Sequence, residues 1–263
     1  EYPIFLDKKE KIKVQGNANN LDHLNIEGNI YNEEFSAFQA TLQGPGIPSE
    51  KMLEAKAEEF IRQHNNSFVS IYLLDKYFVQ KETPDFKKIK ELIDVMAGVL
   101  QDKPSIGQLT ENITQIEKVN EGKTAPFFSL PNQKGEKVTR LDKFKDKYML
   151  INFWASWCEE CDSTNVELRK INNKYKKNKE FGILGISFDI NKEDWKNKIK
   201  QDTLTWEQVC TFTGWNLETA KQYAILKLPT NIFVSPGGRI LARDIPTDSL
   251  SHEIEKALKK EKK

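Results

Sequence analysis

Hydrophobic residues along the chain follow two rhythms. In the first third they recur at helical spacing. Phe68, Ile71, Leu74 and Phe78 form one stripe, Phe86, Ile89, Ile93, Met96 and Leu100 a second, and Ile106, Leu109, Ile113 and Ile116 a third. Spacings of three and four put each set on one face of a helix. The second stripe has a marked start, with Thr83 as cap, Pro84 at the first helical position and Asp85 in the first turn. Ahead of the stripes, residues 2–6, 11–15 and 21–27 are short β-leaning runs separated by Gly16, "NANN" and Gly28. No stripe carries a catalytic constellation, so all three predict core. The region reads as a small sheet edge plus a helical packet.

The stretch "NEGKTAPFFSLPNQKGEK", residues 120–137, is rich in Gly, Pro, Asn and Lys and marks a boundary, giving domains at 1–120 and 121–263. Beyond it the rhythm changes. "KYMLINFWA" (147–155) and "FGILGISFD" (181–189) are apolar runs of strand length, the pattern of strands buried on both faces. A helix is predicted from Cys158 to about Lys176. "KEDWKNKIK" predicts another, with Trp195 and Ile199 on one face. "TNIFVSPGGRILARDI" (230–245) predicts a hairpin turning at Pro236, Gly237 and Gly238, and a last helix runs from Asp248 to Leu258. Strands alternating with helices, then a hairpin and a closing helix, make an α/β fold whose mixed sheet is flanked by helices.

Composition removes several function classes. The chain has 263 residues, with 40 Lys plus Arg against 39 Asp plus Glu. No bulk field draws it to nucleic acid or to an anionic membrane. The closing "KKEKK" reads as a solvated helix end. No apolar run approaches the roughly 18 residues of a membrane span. The opening "EYPIFLDKKEKIKVQG" lacks the features of a secretory signal, so the chain is expected to be a mature or trimmed form.

Only three cysteines occur, too few for a disulfide scaffold, yet two stand together in "NFWASWCEECDST". Cys158 falls where a buried strand gives way to a helix, and Cys161 lies one turn on, on the same face. Unpaired N–H groups and the helix dipole favour an anion there, which makes Cys158 the nucleophile. Cys161 then resolves the mixed disulfide. A zinc half-site would need two more ligands, and Cys210, His23, His64 and His252 are not at ligand spacing. Cys210 follows the β-leaning "TWEQV" and reads as a small apolar bystander. Trp154 and Trp157 read as packing around the pair.

Two longer signatures carry a family resemblance. "GKTAPFFSLPNQKGEKVTRLDKFKDKYMLINFWASWCEEC" and the later "YAILKLPTNIFVSPGGRI" make residues 123–245 similar to thioredoxin-fold thiol–disulfide oxidoreductases of the TlpA/ResA group. The resemblance covers about half the chain and implies a thioredoxin-like sheet. It implies a cis Leu228–Pro229 bond facing the cysteines, with the Leu228 backbone free to pair with an extended substrate. Trp157, Glu159, Glu160 and Thr230 then belong to the site's support. It also implies oxidised protein substrates outside the cytoplasm, apocytochromes among them. Electrons would come from a membrane reductant of the DsbD/CcdA type, with a periplasmic or membrane-tethered location. No cofactor or metal is implied. Residues 1–120 resemble the C-terminal part of a β-plus-helical domain found ahead of such thioredoxins in some Gram-negative bacteria.

The chain also departs from the group. Thr164 and Val166 stand where members often carry glutamate and proline, and Asn152 replaces the buried acid of ordinary thioredoxin. Glu167 is out of phase with the site. Glu159, Glu160 and Asp189 are left as proton acceptors for Cys161. Two alternatives stand beside the leading reading: a thiol peroxidase, against which Ala155 replaces a peroxide-binding threonine, and a partner-binding module on a thioredoxin scaffold.

Overall fold

The computed structural model describes residues 3–6, 11–17, 20–43, 47–81 and 84–260. The chain divides into two compact units, Glu1–Ile113 and Thr114–Lys263.

In the first unit, β1 (Lys13–Asn17) pairs antiparallel with β2 (Asn20–Glu27). The helices are α1 (Ile30–Ala40), α2 (Glu50–Gln63), α3 (Phe68–Leu74), α4 (Phe86–Val95), α5 (Gly98–Gln101) and α6 (Pro104–Lys118), the last running on into the second unit. Residues 3–6 form no strand. Instead the Phe5 backbone N–H donates to Asn32 Oδ1, and its carbonyl accepts from Asn32 Nδ2, both at 2.9 Å. Helices α1 and α2 have no stripe expectation behind them. Their starts are nevertheless capped, Asn29 Oδ1 accepting from Tyr31 N and Ser49 Oγ from Met52 N.

Two stripes differ from expectation. On α3 the wholly buried apolar residues are Val69, Leu73 and Leu74, whereas Phe68 and Ile71 are only partly covered. A wider π-helical turn, Asp75–Val79, follows and carries Phe78 into the core. Helix α4 starts later than predicted because Asp85, not Thr83, caps it, accepting from Lys88 N at 3.0 Å; Thr83 lies outside the described residues. The helix also stops at Val95, where Ala97 N turns away to donate to Asn65 O at 2.8 Å. Met96 and Leu100 still reach the core, but from separate elements.

In the second unit, the stretch read as a boundary contains a small hairpin, β3 (Leu130–Pro131) with β4 (Lys137–Val138). Then come α7 (Arg140–Lys143), β5 (Tyr148–Trp154), α8 (Glu160–Tyr175), β6 (Phe181–Ser187), α9 (Lys192–Gln201) and β7 (Glu207–Cys210). The unit closes with α10 (Glu218–Gln222), β8 (Thr230–Val234), β9 (Ile240–Arg243) and α11 (Leu250–Lys260). One five-stranded sheet runs β7-β6-β5-β8-β9, parallel across the first three strands and antiparallel across the last two.

The two faces of the sheet are distinguishable on β5, because successive side chains alternate. Phe153 meets Tyr223, just after α10, with ring centroids 5.7 Å apart. Tyr148 stacks on Phe233, which meets Phe181, which meets Tyr175 at the far end of α8. Tyr148, Leu150, Asn152 and Trp154 therefore face α8, and Met149, Ile151 and Phe153 face α10. Since Tyr175 ends over the start of the strands, the first turn of α8 lies over their C-terminal ends. Among the described residues, no helix is long and apolar enough to cross a membrane.

Leu73, fully buried in the first unit's core, tests that packing. Leu73→Ala should cost about 2–5 kcal/mol, read as a lower urea midpoint for that unit while the disulfide chemistry of the second unit is unchanged.

Candidate active site

At Trp154 β5 ends, and the chain turns through Ala155, Ser156 and Trp157 before α8 begins at Glu160. The turn is tied by its own backbone, Cys158 N donating to Ala155 O at 3.3 Å and Cys161 N to Cys158 O at 3.1 Å. It is tied more firmly by Asp189, two residues past β6 and buried. That carboxylate accepts from Ser156 N at 3.2 Å, Ser156 Oγ at 2.5 Å and Ser187 Oγ at 2.6 Å. The sequence offered Asp189 as a proton acceptor; its lone pairs are instead committed to holding the ends of β5 and β6 together.

Cys158 and Cys161 are joined as a disulfide with Cα atoms 5.3 Å apart. Cys161 is in the first turn of α8 and Cys158 stands two residues before it. Neither sulfur is open: Cys158 is 4% exposed and Cys161 0%. Glu159 and Glu160 are exposed, and neither has an ion pair among the described residues. Glu167 is engaged on the helix surface by Lys170 at 3.0 Å. Thr164 is buried against Thr247, its Oγ1 3.1 Å from the other hydroxyl. Cys210 is buried at the end of β7, and burial pushes its thiol pKa up, which keeps it protonated.

The Leu228–Pro229 peptide is cis. Because Thr230 pairs with Phe153 in the antiparallel register, Leu228 and Pro229 continue towards the disulfide end of β5. Thr230 itself is buried, its hydroxyl donating to Lys227 O at 2.9 Å. Sequence reasoning missed what secures this loop. Arg243, on β9, donates from Nη1 to Tyr223 O at 2.6 Å and from Nη2 to Ala224 O at 2.7 Å, and its Nε reaches Asp244 at 3.0 Å. Burial pushes the Arg243 pKa down, with Asp244 opposing that shift.

Large apolar side chains ring the disulfide end of the sheet. Of the two tryptophans expected to pack around the pair, Trp154 is sealed in the interior and Trp157 is 53% exposed. Ile190 after β6, Trp215 after β7 and Leu226 ahead of the cis-proline are exposed as well. None of these three carries a sequence signal, since only the sheet topology brings their loops to one end.

Comparison with known proteins agrees with this geometry. A model of the AhpC/TSA family matches residues 122–243. The thiol-disulfide oxidoreductase ResA of Bacillus thuringiensis is 32% identical over 149 residues, 56% of this chain and 82% of that protein. The chain belongs to the ResA-like thiol–disulfide oxidoreductases. A solved thiol-disulfide oxidoreductase from Bacteroides fragilis is 57% identical, with a TM-score of 0.50, covering 51% of this chain and 99% of that one. A thioredoxin-like protein from Bacteroides caccae shares only 16% identity, but its fold covers 80% of this chain and 78% of its own at a TM-score of 0.60. The ResA-like fold is thus the second unit, a thioredoxin-like sheet with a Cys-x-x-Cys pair at its strand ends.

The grip of Arg243 on the cis-proline loop is testable. Arg243→Met should lower stability by about 3 kcal/mol, since hydrogen bonds made by a charged group contribute about 1.5–3 kcal/mol each. Arg243→Lys should not restore it, because lysine lacks the planar fork that reaches two carbonyls. Urea denaturation of the three proteins checks both statements.

Proposed function

We propose that this ResA-like protein is a reductase of protein disulfides, working by a dithiol cycle in which Cys158 attacks and Cys161 resolves. The observation that supports this order is the burial of Cys161 inside the first turn of α8, with Cys158 before the helix at the rim formed by Trp157 and Leu226. In the reduced protein Cys158 Sγ attacks a substrate disulfide, and one substrate sulfur leaves as the mixed disulfide forms. Cys161 Sγ then attacks Cys158 Sγ, releasing the second substrate sulfur and closing the Cys158–Cys161 bond.

The cis-Pro229 loop receives the substrate, the Leu228 backbone pairing with an extended segment in the manner of strand addition. Trp157, Glu159, Glu160, Leu228 and Thr230 support it. The substrates are oxidised proteins outside the cytoplasm, apocytochromes among them, and a membrane thiol reductant of the DsbD/CcdA type restores the dithiol. Residues 1–120 act as a domain separate from the catalytic one at 121–263. These assignments follow from the resemblance and from the chemistry of the pair.

The direction rests on charge. A helix dipole favours a thiolate near its N-terminus by about 0.3–1 kcal/mol. A carboxylate about 7 Å away in near-aqueous surroundings opposes it by roughly 0.6 kcal/mol, and Glu159 and Glu160 supply two. The Cys158 thiolate gains little net stabilisation, so the dithiol is not a strong oxidant.

Three outcomes follow for the cycle. Cys158→Ser abolishes insulin reduction, whereas Cys161→Ser traps mixed disulfides that Cys158→Ser does not; equal trapping by both would reverse the order. A peroxide-consumption assay run alongside separates this activity from a thiol peroxidase. Equilibration against a dithiol buffer, read by alkylation and mass, should give a potential near thioredoxin's, about −270 mV. A value above roughly −180 mV, that of protein disulfide isomerase, would overturn the reductase reading. Replacing Glu159 and Glu160 together with glutamine should make the protein more oxidising in the same titration.

A further inference from the structure

Asp189 is 1% exposed and is the only buried acid among the described residues. Every partner it has is neutral. Its carboxylate accepts from Ser156 N, Ser156 Oγ and Ser187 Oγ, and its backbone N–H donates to Ser187 Oγ at 2.9 Å. Its carbonyl accepts from the Cys210 thiol at 3.5 Å. Among the described residues no lysine, arginine or histidine pairs with it. Hydrogen bonds from neutral donors orient a buried carboxylate and offset part of its desolvation, but they leave its net charge in place.

That charge lies close to the nucleophile. Ser156 N is 3.2 Å from both carboxylate oxygens, and Cys158 follows two residues later in a turn that Cys158 N closes onto Ala155 O at 3.3 Å. With about 3.8 Å between successive Cα atoms, the carboxylate stands within about 10 Å of the Cys158 backbone. The neighbouring charges differ in kind. Glu159, Glu160 and, on the cis-proline loop, Lys227 are exposed, so salt screens them. Asp162, in the first turn of α8, is neutralised by Lys198 of α9 at 2.6 Å, and Lys198 also reaches Asp202 at 3.4 Å. Arg243 and Asp244 offset each other at 3.0 Å. On the β7 side, burial pushes the Cys210 thiol pKa up and the Asp189 charge acts in the same sense. Asp189 is thus a fixed, buried charge with no counter-charge, beside a turn that must carry a thiolate.

We infer that Asp189 is a positioning residue for Cys158 with a second effect, its buried charge disfavouring the Cys158 thiolate and so holding the cysteine pair on the reducing side. The thiolate exists only in the reduced protein, and closing the disulfide removes its charge. A like charge nearby raises the reduced form relative to the oxidised one, which is the poise of a reductant. At about 10 Å and an effective dielectric of about 20–40, the repulsion amounts to about half a pKa unit to one unit. Asp189 therefore acts through Cys158, by its charge as well as by its bonds.

The inference rests on the dithiol cycle proposed above and deepens its direction. Asp189→Asn removes the charge and keeps an acceptor for Ser156, whereas Ser187→Ala removes one bond and keeps the charge. The Cys158 pKa is read from the pH dependence of its alkylation in a Cys161→Ser background. Asp189→Asn should lower it by about half a unit to one unit, and Ser187→Ala should leave it unchanged. With both cysteines present, Asp189→Asn should shift the equilibrium with a dithiol buffer at least about threefold towards the reduced protein at pH 8. The Asp189→Asn shift should persist in 1 M salt, where the screening length is about 3 Å, while that of replacing Glu159 and Glu160 with glutamine shrinks. No fall in the pKa, or an equal fall in Ser187→Ala, would overturn the charge effect. Should Asp189→Asn fail to fold, the protein with Glu159 and Glu160 both changed to glutamine decides at low salt. There the helix dipole acts without exposed carboxylates against it, and a Cys158 pKa of about 7 or above supports the buried charge, a lower one overturning it. The parent's own potential tests the reductase reading and the difference between parent and variant tests Asp189, so each can fail without the other.

Discussion

Every residue of β5, from Tyr148 to Trp154, is buried, and the second unit is organised around that constraint. A strand covered on both faces cannot carry a charge on either without a large desolvation cost. Its polar members must be neutral and bonded, and reactive groups must wait until the strand ends. The cysteine pair comes at the first opportunity, in the turn after Trp154. The same burial makes the turn dependent on its neighbours for shape, and β6 supplies the anchor. Asp189 is a charge that the interior tolerates because three donors from two strand ends converge on it.

Burial on both faces also explains what could be read directly from the residues. An unbroken apolar run such as "KYMLINFWA" has one structural use, and Trp195 with Ile199 marks one face of α9 as plainly. The cysteine spacing announces its chemistry because two sulfurs three positions apart at a helix start can close and reopen. Elements whose identity depends on distant partners were not readable. Gln208 looks like an ordinary polar residue in "TWEQV" until Gly185 is seen to leave it room. Arg243 ends a hairpin strand in the sequence, and only the fold shows its guanidinium gripping carbonyls nearly twenty positions earlier. Helices α1 and α2 lacked a clean stripe, and α4 was predicted to continue through Met96 because its apolar spacing continues although its backbone does not.

Charge near the site is used to hold the backbone. Holding the backbone falls to Asp189 and Arg243, both charged, both buried, and both committed to fixed bonds. The row of Asn152, Gly185 and Gln208 on the central strands carries amides, neutral at every pH at which the protein folds. A carboxylate at position 152 would add a titrating group to a strand that is buried throughout and carries no charge.

Burial finally bears on what can be a substrate. Cys158 is almost covered and Cys161 wholly so, and in the proposed cycle the substrate sulfur must therefore come to the protein surface at Cys158 rather than the reverse. At the same end of the sheet stand Trp157, Ile190, Trp215 and Leu226, all exposed and apolar. A small hydrophilic disulfide would gain nothing from such a rim and would leave it wet. An unfolded or partly folded polypeptide can place apolar side chains on it, at about 25 cal/mol for each Å² removed from water. Binding energy of that kind comes from residues remote from the reacting sulfurs and positions them for attack. The exposed rim and the buried pair are thus complementary requirements: the more completely the sulfurs are sealed, the more the substrate must be held by something other than its cysteine.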